Sequence, residues 1–585
     1  MESDQKALNA RGMSAARDGM AELYHRSSLR PQESLRFCFW VSAVLLGLLQ
    51  IWVHRYQVGP DGTSYIEIAR RLQHGDYQAL LNGYWSPLYP LLLSGAFRIL
   101  DTGLYWESTV VHFLNFAIYL GSLYCFEIFL KQLLAARKLS GHASGESHPE
   151  NLRRTWIWGY LLFLWVSWFW TSPAEVTPDL LVVCVVFLAT AALLRIRTSV
   201  ASWGTFAILG VILGAGYLAK AAMFPIAFVF LVSAFSLARS RKRAELPILI
   251  STVTFVAVTA PFLLALSQSK GRITFGDTGK LNYAWYVSGA PKSRHWQGQP
   301  SGTGVPVHPT RRVSDTEPLY EFAEPVQGSY PPWYNPSYWY EGVKPQFDAK
   351  GQLMALYRAA NSYLRIWSKY GTMYFVGLAI LLLRRRGAGW REAKDSFYLV
   401  WMPTYAALLM YELVHVEPRF VGGFGLVLLA AAFTRLAPPV ASAGGGMKLP
   451  GFLMIAAPAL AIAWGAIGDI RLVMSPKPFE QWNVAQNLDG SGISPGARVG
   501  AIGMGLDAYW SHLAEVRIIA EIPEHDEGYF ANADKPGREK ILEKFAELGA
   551  SALVTDKPAV AESADGWQSL GSGHYYVYKL DPRKF

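Results

Sequence analysis

The stretch that decides the fold runs Glu175-Val176-Thr177-Pro178-Asp179, then the uncharged run Leu180 to Leu194, then Arg195-Ile196-Arg197. Carboxylates stand at one end, cations at the other, and apolar residues fill the interval. A membrane span needs about 20 largely apolar residues, and a basic flank marks the cytoplasmic end. Working outward, about eleven candidate spans occur near residues 35–54, 107–130, 155–171, 178–195, 203–219, 222–238, 245–266, 370–384, 396–413, 420–436 and 450–469.

Five basic sets test the alternation. Arg26, Arg30 and Arg36 precede the first candidate, and Lys131, Arg137, Lys138, Arg153 and Arg154 lie between the second and third. Arg195 and Arg197 follow the fourth, Arg239 to Arg243 the sixth, and Arg384 to Arg386 the eighth. All five fall inside when the N-terminus is cytoplasmic. The expected organisation is a cytoplasmic segment 1–34, a membrane domain 35–469 with exported loops 55–106 and 267–369, and an exported α/β domain 470–585. The first 34 residues show no signal peptide, so the first span is expected to remain as an anchor.

The 585 residues are 51% hydrophobic and 17% charged, a balance suited to a membrane protein with large extramembrane parts. The net charge of +10 invites a nucleic-acid partner. Because much of the basic excess abuts apolar runs, membrane topology explains it and no nucleic acid is expected. Cys38, Cys125 and Cys184 all fall in candidate spans and read as small apolar filler, so no exported disulfide or cysteine metal site is expected.

Thr63 to His74 reads as an amphipathic interfacial helix with Ser64 and Glu67 at capping-box spacing. His74 falls on its wet face, and Leu91 to Leu100 reads as a second interfacial helix. The 267–369 segment is rich in Gly, Pro, Trp and Tyr. Its aromatics suit stacking on sugar rings and membrane-interface anchoring equally. In the tail, Arg498 to Ile502, Ala552 to Thr555 and Tyr575 to Leu580 read as strands, and Lys540 to Leu548 as a helix. Gly500, Gly503 and Gly505 do not make a dinucleotide fingerprint.

The polar clusters share one side: Gly59 to Tyr65, Glu175 to Asp179, Lys220, and His415 to Arg419. Charge beside a bilayer is costly and usually retained for function. Five short patterns then resemble the polytopic glycosyltransferases of the C-type fold, especially bacterial relatives of glycosyltransferase family 39, which include protein mannosyltransferases and lipid A aminoarabinose transferases. These are Asp61 with Ser64-Tyr65 and Gly75-Asp76; Pro87-Leu88-Tyr89-Pro90; Glu175-Val176-Thr177-Pro178-Asp179; Gly216-Tyr217-Leu218-Ala219-Lys220; and Glu417-Pro418-Arg419-Phe420. Ala219 and Ala221 replace the Thr and Gly of the family's Leu-Thr-Lys-Gly signature. The likeness covers roughly residues 35–440 and departs in the 267–369 loop and the tail.

The resemblance implies an all-α polytopic membrane enzyme of C-type fold; the interfacial helices and the small C-terminal α/β domain are read from the residues themselves. It implies a polyprenyl-phosphate-linked sugar donor, an exported acceptor, surrounding membrane lipids, and an active face on the periplasmic side of a bacterial inner membrane. Asp61 is the expected general base for inverting transfer; its structural alternative is a helix N-cap. Glu175 and Asp179 are expected beside it, orienting the acceptor or a cation, although Asp179 also suits a cap for the fourth span. Lys220 and Arg419 are expected to bind the donor phosphate, against snorkelling and interfacial anchoring. Glu417, His415 and Tyr65 complete the expected substrate-binding set. His295, His308 and His415 lack metal-ligand spacing; a divalent ion on Asp61 and Glu175 or Asp179 fits some C-type relatives but is not required here.

Two other readings compete. A transporter or lipid flippase would show repeated halves and broken helices near the midplane, and no such repeat is evident. A tail acting as a binding module on a membrane scaffold would leave the one-sided charges unexplained.

Overall fold

The computed structural model describes residues 31–139, 149–198, 202–239, 245–292, 295–323, 326–384, 398–436, 449–503, 505–571 and 574–580. Arg26, Arg30 and positions 240–243 and 385–386 of the basic sets lie outside them.

Each candidate span falls on a helix. The helices, in chain order, are α1 (Glu33–Val53), α2 (Pro60–Gln73), α3 (Leu88–Ile99), α4 (Glu107–Leu139), α5 (Pro149–Phe169), α6 (Asp179–Arg197), α7 (Trp203–Ala219), α8 (Met223–Arg239), α9 (Glu245–Ser269), α10 (Thr278–Tyr286), α11 (Ala349–Arg384), α12 (Tyr398–Glu412), α13 (Pro418–Leu436) and α14 (Leu449–Met474). Among the described residues, five helices are long and apolar enough to cross a membrane by length and composition: Glu33–Val53, Leu104–Arg137, Asp179–Arg197, Leu246–Ser269 and Ile455–Met474. Shorter apolar helices, such as Trp203–Ala219 and Pro418–Thr434, complete the bundle.

Lipid removes the hydrophobic drive between helices, so close backbone approach and polar ties hold the bundle. Gly210 shows the first: a Cβ there would lie 2.0 Å from Thr254 Oγ1 and 2.2 Å from the Ser251 carbonyl, so only glycine lets α7 close on α9. Glu127 shows the second. Its buried carboxylate accepts from Arg36 Nε at 3.0 Å, Trp40 Nε1 at 2.7 Å and the Tyr160 hydroxyl at 2.6 Å, tying α1, α4 and α5.

The tail opens with α15 (Glu480–Gly490), followed by α16 (Tyr509–Leu513) and α17 (Lys535–Glu547). Its strands β3 (Arg498–Gly503), β4 (Arg517–Pro523), β5 (Ala552–Thr555), β6 (Trp567–Leu570) and β7 (Tyr575–Lys579) join β1 (Arg311–Arg312) and β2 (Tyr320–Glu321) of the 267–369 segment in one sheet of order β1-β2-β4-β3-β5-β7-β6. Strands β3, β4 and β5 run parallel and are buried along almost their whole length, as parallel strands covered on both faces are. The three strands and the helix read from the tail sequence are present. Strands β4 and β6 are additions. Arg517–Pro523 opens on an arginine and carries one glutamate in an otherwise apolar run, and gives no alternating signal.

The 267–369 segment therefore shares the tail's sheet, and six of its aromatics, Phe322 among them, are buried in the core. Trp285, Trp296, Tyr334, Trp339 and Tyr340 are buried in one cluster with Tyr65, Ile68 and Leu72 of α2 and with Tyr509 and Trp510 of the tail. These side chains are filled by protein, which leaves neither sugar stacking nor membrane anchoring to them. A buried Glu521 fastens the segment to β4. It accepts from the Tyr330 hydroxyl at 2.6 Å and pairs with His295 Nε2 at 2.8 Å.

Candidate active site

Helix α2 begins at Pro60 with Gly59 as its N-cap, so Asp61 sits inside the first turn instead of capping from outside. Proline at this position forfeits no hydrogen bond, because the first amide is unpaired in any helix. The expected cap by Ser64 and Glu67 is not formed. Ser64 is mid-helix and donates to the Trp333 carbonyl at 3.4 Å, while Glu67 accepts from the Ser329 amide at 2.6 Å. The next residue after Asp61 explains how α2 reaches the 172–177 turn: a Cβ on Gly62 would lie 2.8 Å from Val176 Cβ. His74 is exposed at the far end.

That end of the bundle collects the start of α2, the start of α6, the end of α7 and the start of α13. Arg419, in the first turn of α13, donates through Nη2 to Asp61 Oδ2 at 2.9 Å and through Nε to Glu417 Oε2 at 2.7 Å. The same Nε lies 3.8 Å from Asp179 Oδ2. Lys220, the extended residue that ends α7, pairs with Asp179 Oδ1 and places Nζ 3.9 Å from the centre of the Phe420 ring. Asp179 does not cap α6; Pro178 is the N-cap and the Asp179 carboxylate points into this network. Its side chain is 5% exposed, and Oδ2 takes no hydrogen bond from any described residue.

His415 Nε2 is 3.0 Å from Glu417 Oε1, and the His415 ring stacks on Tyr286 of α10 with centroids 4.1 Å apart. The Glu417 carboxyl is held well below the usual carboxylate range: burial raises it, but bonds from His415 and Arg419 outweigh burial. Tyr65 is buried edge-on to Trp85 and Tyr89, at 5.1 Å from each, and its phenol is pushed up by burial and then by Asp61 and Asp179.

Glu175 makes no ion pair within 4 Å among the described residues. Its backbone is fixed, since Asn115 Nδ2 donates to its carbonyl at 2.8 Å and Asn115 in turn accepts from Tyr89. The side chain is exposed, yet its surroundings desolvate it enough to raise the carboxyl to about 7, with Arg419 and Lys220 opposing and Asp179 and Glu417 assisting. Residues Asp61, Glu175, Asp179, Lys220, Glu417 and Arg419 thus form one electrostatic unit of four carboxyls and two permanent cations. No group of three or more His, Cys, Asp or Glu among the described residues is arranged to hold a metal ion, and Asp61 and Asp179 are engaged by Arg419 and Lys220.

No protein-family model and no curated protein sequence matches the chain. Solved structures do. Apo ArnT from Cupriavidus metallidurans superposes with a TM-score of 0.52 at 13% identity, over 94% of this chain and 98% of that one. ArnT from the same organism bound to undecaprenyl phosphate gives 0.53 at 13% identity, over 92% and 97%. This is the C-type glycosyltransferase fold. Within it, the chain is an integral membrane protein whose bundle carries the ion network at one end.

A second network, joining α2, α4 and the tail, gave no signal in the sequence. Glu107, at the start of α4, is fully buried. It accepts from Arg70 Nε, from the Tyr509 hydroxyl at 3.2 Å and from His512 Nε2 at 3.0 Å. His512 also lies 3.8 Å from Glu67. Burial lowers the His512 pKa, but Glu107 and Glu67 more than offset this and raise it to about 10. The carboxylate and its partners are up to 405 positions apart, which is why neither suggests the other in sequence.

Proposed function

We propose that the chain is an inverting glycosyltransferase that moves a sugar from a polyprenyl phosphate to an exported acceptor. The observation that carries this is the Asp61–Arg419 pair at 2.9 Å, with Lys220 and Asp179 beside it. A carboxylate able to take a proton thereby stands next to two cations able to receive a phosphate. The support from comparison is the fold shared with ArnT, a lipid A aminoarabinose transferase, one of whose structures holds undecaprenyl phosphate.

In this reading the acceptor hydroxyl oxygen attacks the anomeric carbon and forms the new C–O bond. The bond from that carbon to the phosphate oxygen breaks, its electron pair stays on the phosphate, and the hydroxyl proton passes to Asp61. Lys220 and Arg419 stabilise the charge that gathers on the leaving phosphate, and the carboxylates around them fix their positions beforehand. The Asp61–Arg419 pair links the two events. A phosphate that recruits Arg419 competes with Asp61 for the same guanidinium, so donor binding frees the base. The active face is the periplasmic side of a bacterial inner membrane, the side left by the basic flanks of the spans.

The test is a transfer assay on the purified chain in nanodiscs, following release of undecaprenyl phosphate from undecaprenyl-phosphate-linked sugars on addition of lipid or glycan acceptors. Acceptor-dependent release supports the proposal. A chain that translocates the labelled lipid without cleaving it contradicts the proposal and is instead a flippase.

A further inference from the structure

A cavity of about 510 Å3 opens at the seam between the C-terminal half of α2, the 327–329 turn and the start of β4. That size falls in the range of small-molecule sites. Its lining mixes hydrogen-bond donors and acceptors: Arg70, Arg71 and Arg517 donate, Glu67 and Glu515 accept, and Gln327 does both. His512 lines it too, with its two ring nitrogens turned to Glu107 and Glu67. Cations and carboxylates are close to balance once Glu107 and Asp76, which bind Arg70 and Arg71, are counted. Such a wall favours a neutral polyhydroxylated ligand over a bare anion, because each sugar hydroxyl gives one hydrogen bond and takes others.

One further observation bears on the same cavity. Thr102 lines it, is only 7% exposed, and its hydroxyl has no hydrogen-bond partner among the described residues. The non-glycine residues with positive φ among the described residues are Asp101, at 44°, beside Thr102, and Glu515, at 53°, in the wall itself. Each follows the C-cap of a helix, α3 or α16, where the next amide closes the last turn (Thr102 to the Phe97 carbonyl, Val516 to the Ser511 carbonyl), and this cap imposes the left-handed backbone.

We propose that this cavity is a saccharide subsite, holding a sugar ring of the acceptor remote from the hydroxyl that reacts. This rests on the glycosyl-transfer reading, with α2 as the ruler between the two points. From position 61 to position 70 the axial rise is about 13 Å.

The test uses the full chain in nanodiscs, without donor, and a panel of neutral disaccharides (chitobiose, maltose and mannobiose) followed by saturation-transfer NMR and calorimetry. At least one disaccharide binds the wild type. Glu515→Gly removes the carboxylate and suits the left-handed backbone, so its melting temperature is unchanged or higher while saccharide affinity falls about tenfold or more. Gln327→Ala weakens the same ligand. Failure of every disaccharide to bind the wild type, or equal binding by Glu515→Gly and Gln327→Ala, overturns the subsite. Saccharide binding without any transfer from a polyprenyl-phosphate sugar overturns the transfer reading instead and leaves the subsite standing.

Discussion

Arg419 reaches Asp61 across 358 positions of sequence, Nη2 to Oδ2 at 2.9 Å, while its Nε holds Glu417 at 2.7 Å. A planar fork bonding two carboxylates at once is a task lysine cannot copy. Arg419→Lys is therefore expected to keep the charge but lose one of the two bonds. Binding of undecaprenyl phosphate, measured by native mass spectrometry or calorimetry, should weaken by roughly tenfold or more. Equal binding by the lysine variant would reduce Arg419 to a point charge.

Lys220 and Asp179 separate stability from binding. Lys220→Ala leaves the Asp179 carboxylate, 5% exposed, without its main cation. Breaking a buried pair from one side costs about 3–5 kcal/mol, so the melting temperature should fall clearly. Adding Asp179→Asn removes the orphaned charge and should restore most of that loss. Donor binding should remain weak in the double variant, because the phosphate still lacks its cation. Recovery of both properties together would assign Lys220 a structural role alone.

The parts of this site that the sequence revealed share one property: charge next to an apolar run. Lys220, Arg419 and Asp179 stand at helix ends where an ionised group has few harmless explanations. Their gathering at one end of the bundle followed from the alternation of spans. Glu67, Arg70, Glu107 and His512 carry the same property in hidden form, because each alone reads as an ordinary charge on a helix or turn. Only the docking of the tail against α2 and α4 makes them a network. The sheet was half legible for a similar reason. Strands β3, β5 and β7 lie within the tail, whereas β1 and β2 come from a segment more than 170 positions upstream of β3 and are two residues long.

Titration of Glu175 should control donor affinity near neutrality. Its carboxyl holds a proton up to about 7. Above that pH it adds negative charge to a cluster that must accept a phosphate. Affinity for undecaprenyl phosphate should therefore fall as pH rises through about 7, and Glu175→Gln should keep the low-pH affinity throughout. A wild-type curve that is flat across this window removes Glu175 from the site.

His512 predicts a pH dependence of stability. Its folded pKa is raised from 6.5 to about 10, so the folded state binds the proton more tightly. That stabilisation is fully present below pH 6.5 and is lost as pH rises through about 10. The melting temperature of the wild type should decline across this interval, and His512→Gln should start lower and decline less. Parallel curves would show that the tail does not depend on the His512–Glu107 contact.

The most direct test of the central claim is sugar transfer by Asp61→Asn. The amide keeps the size of the carboxyl and can still accept from Arg419, though more weakly, so the chain should fold and bind undecaprenyl-phosphate-linked sugar at least as tightly as the wild type does. It cannot take the proton from the attacking hydroxyl, and general-base catalysis contributes roughly 100- to 10,000-fold. Single-turnover transfer should therefore slow by at least about 100-fold with donor binding undiminished. Near-wild-type transfer by Asp61→Asn would contradict the account and move the base to Glu175 or Asp179.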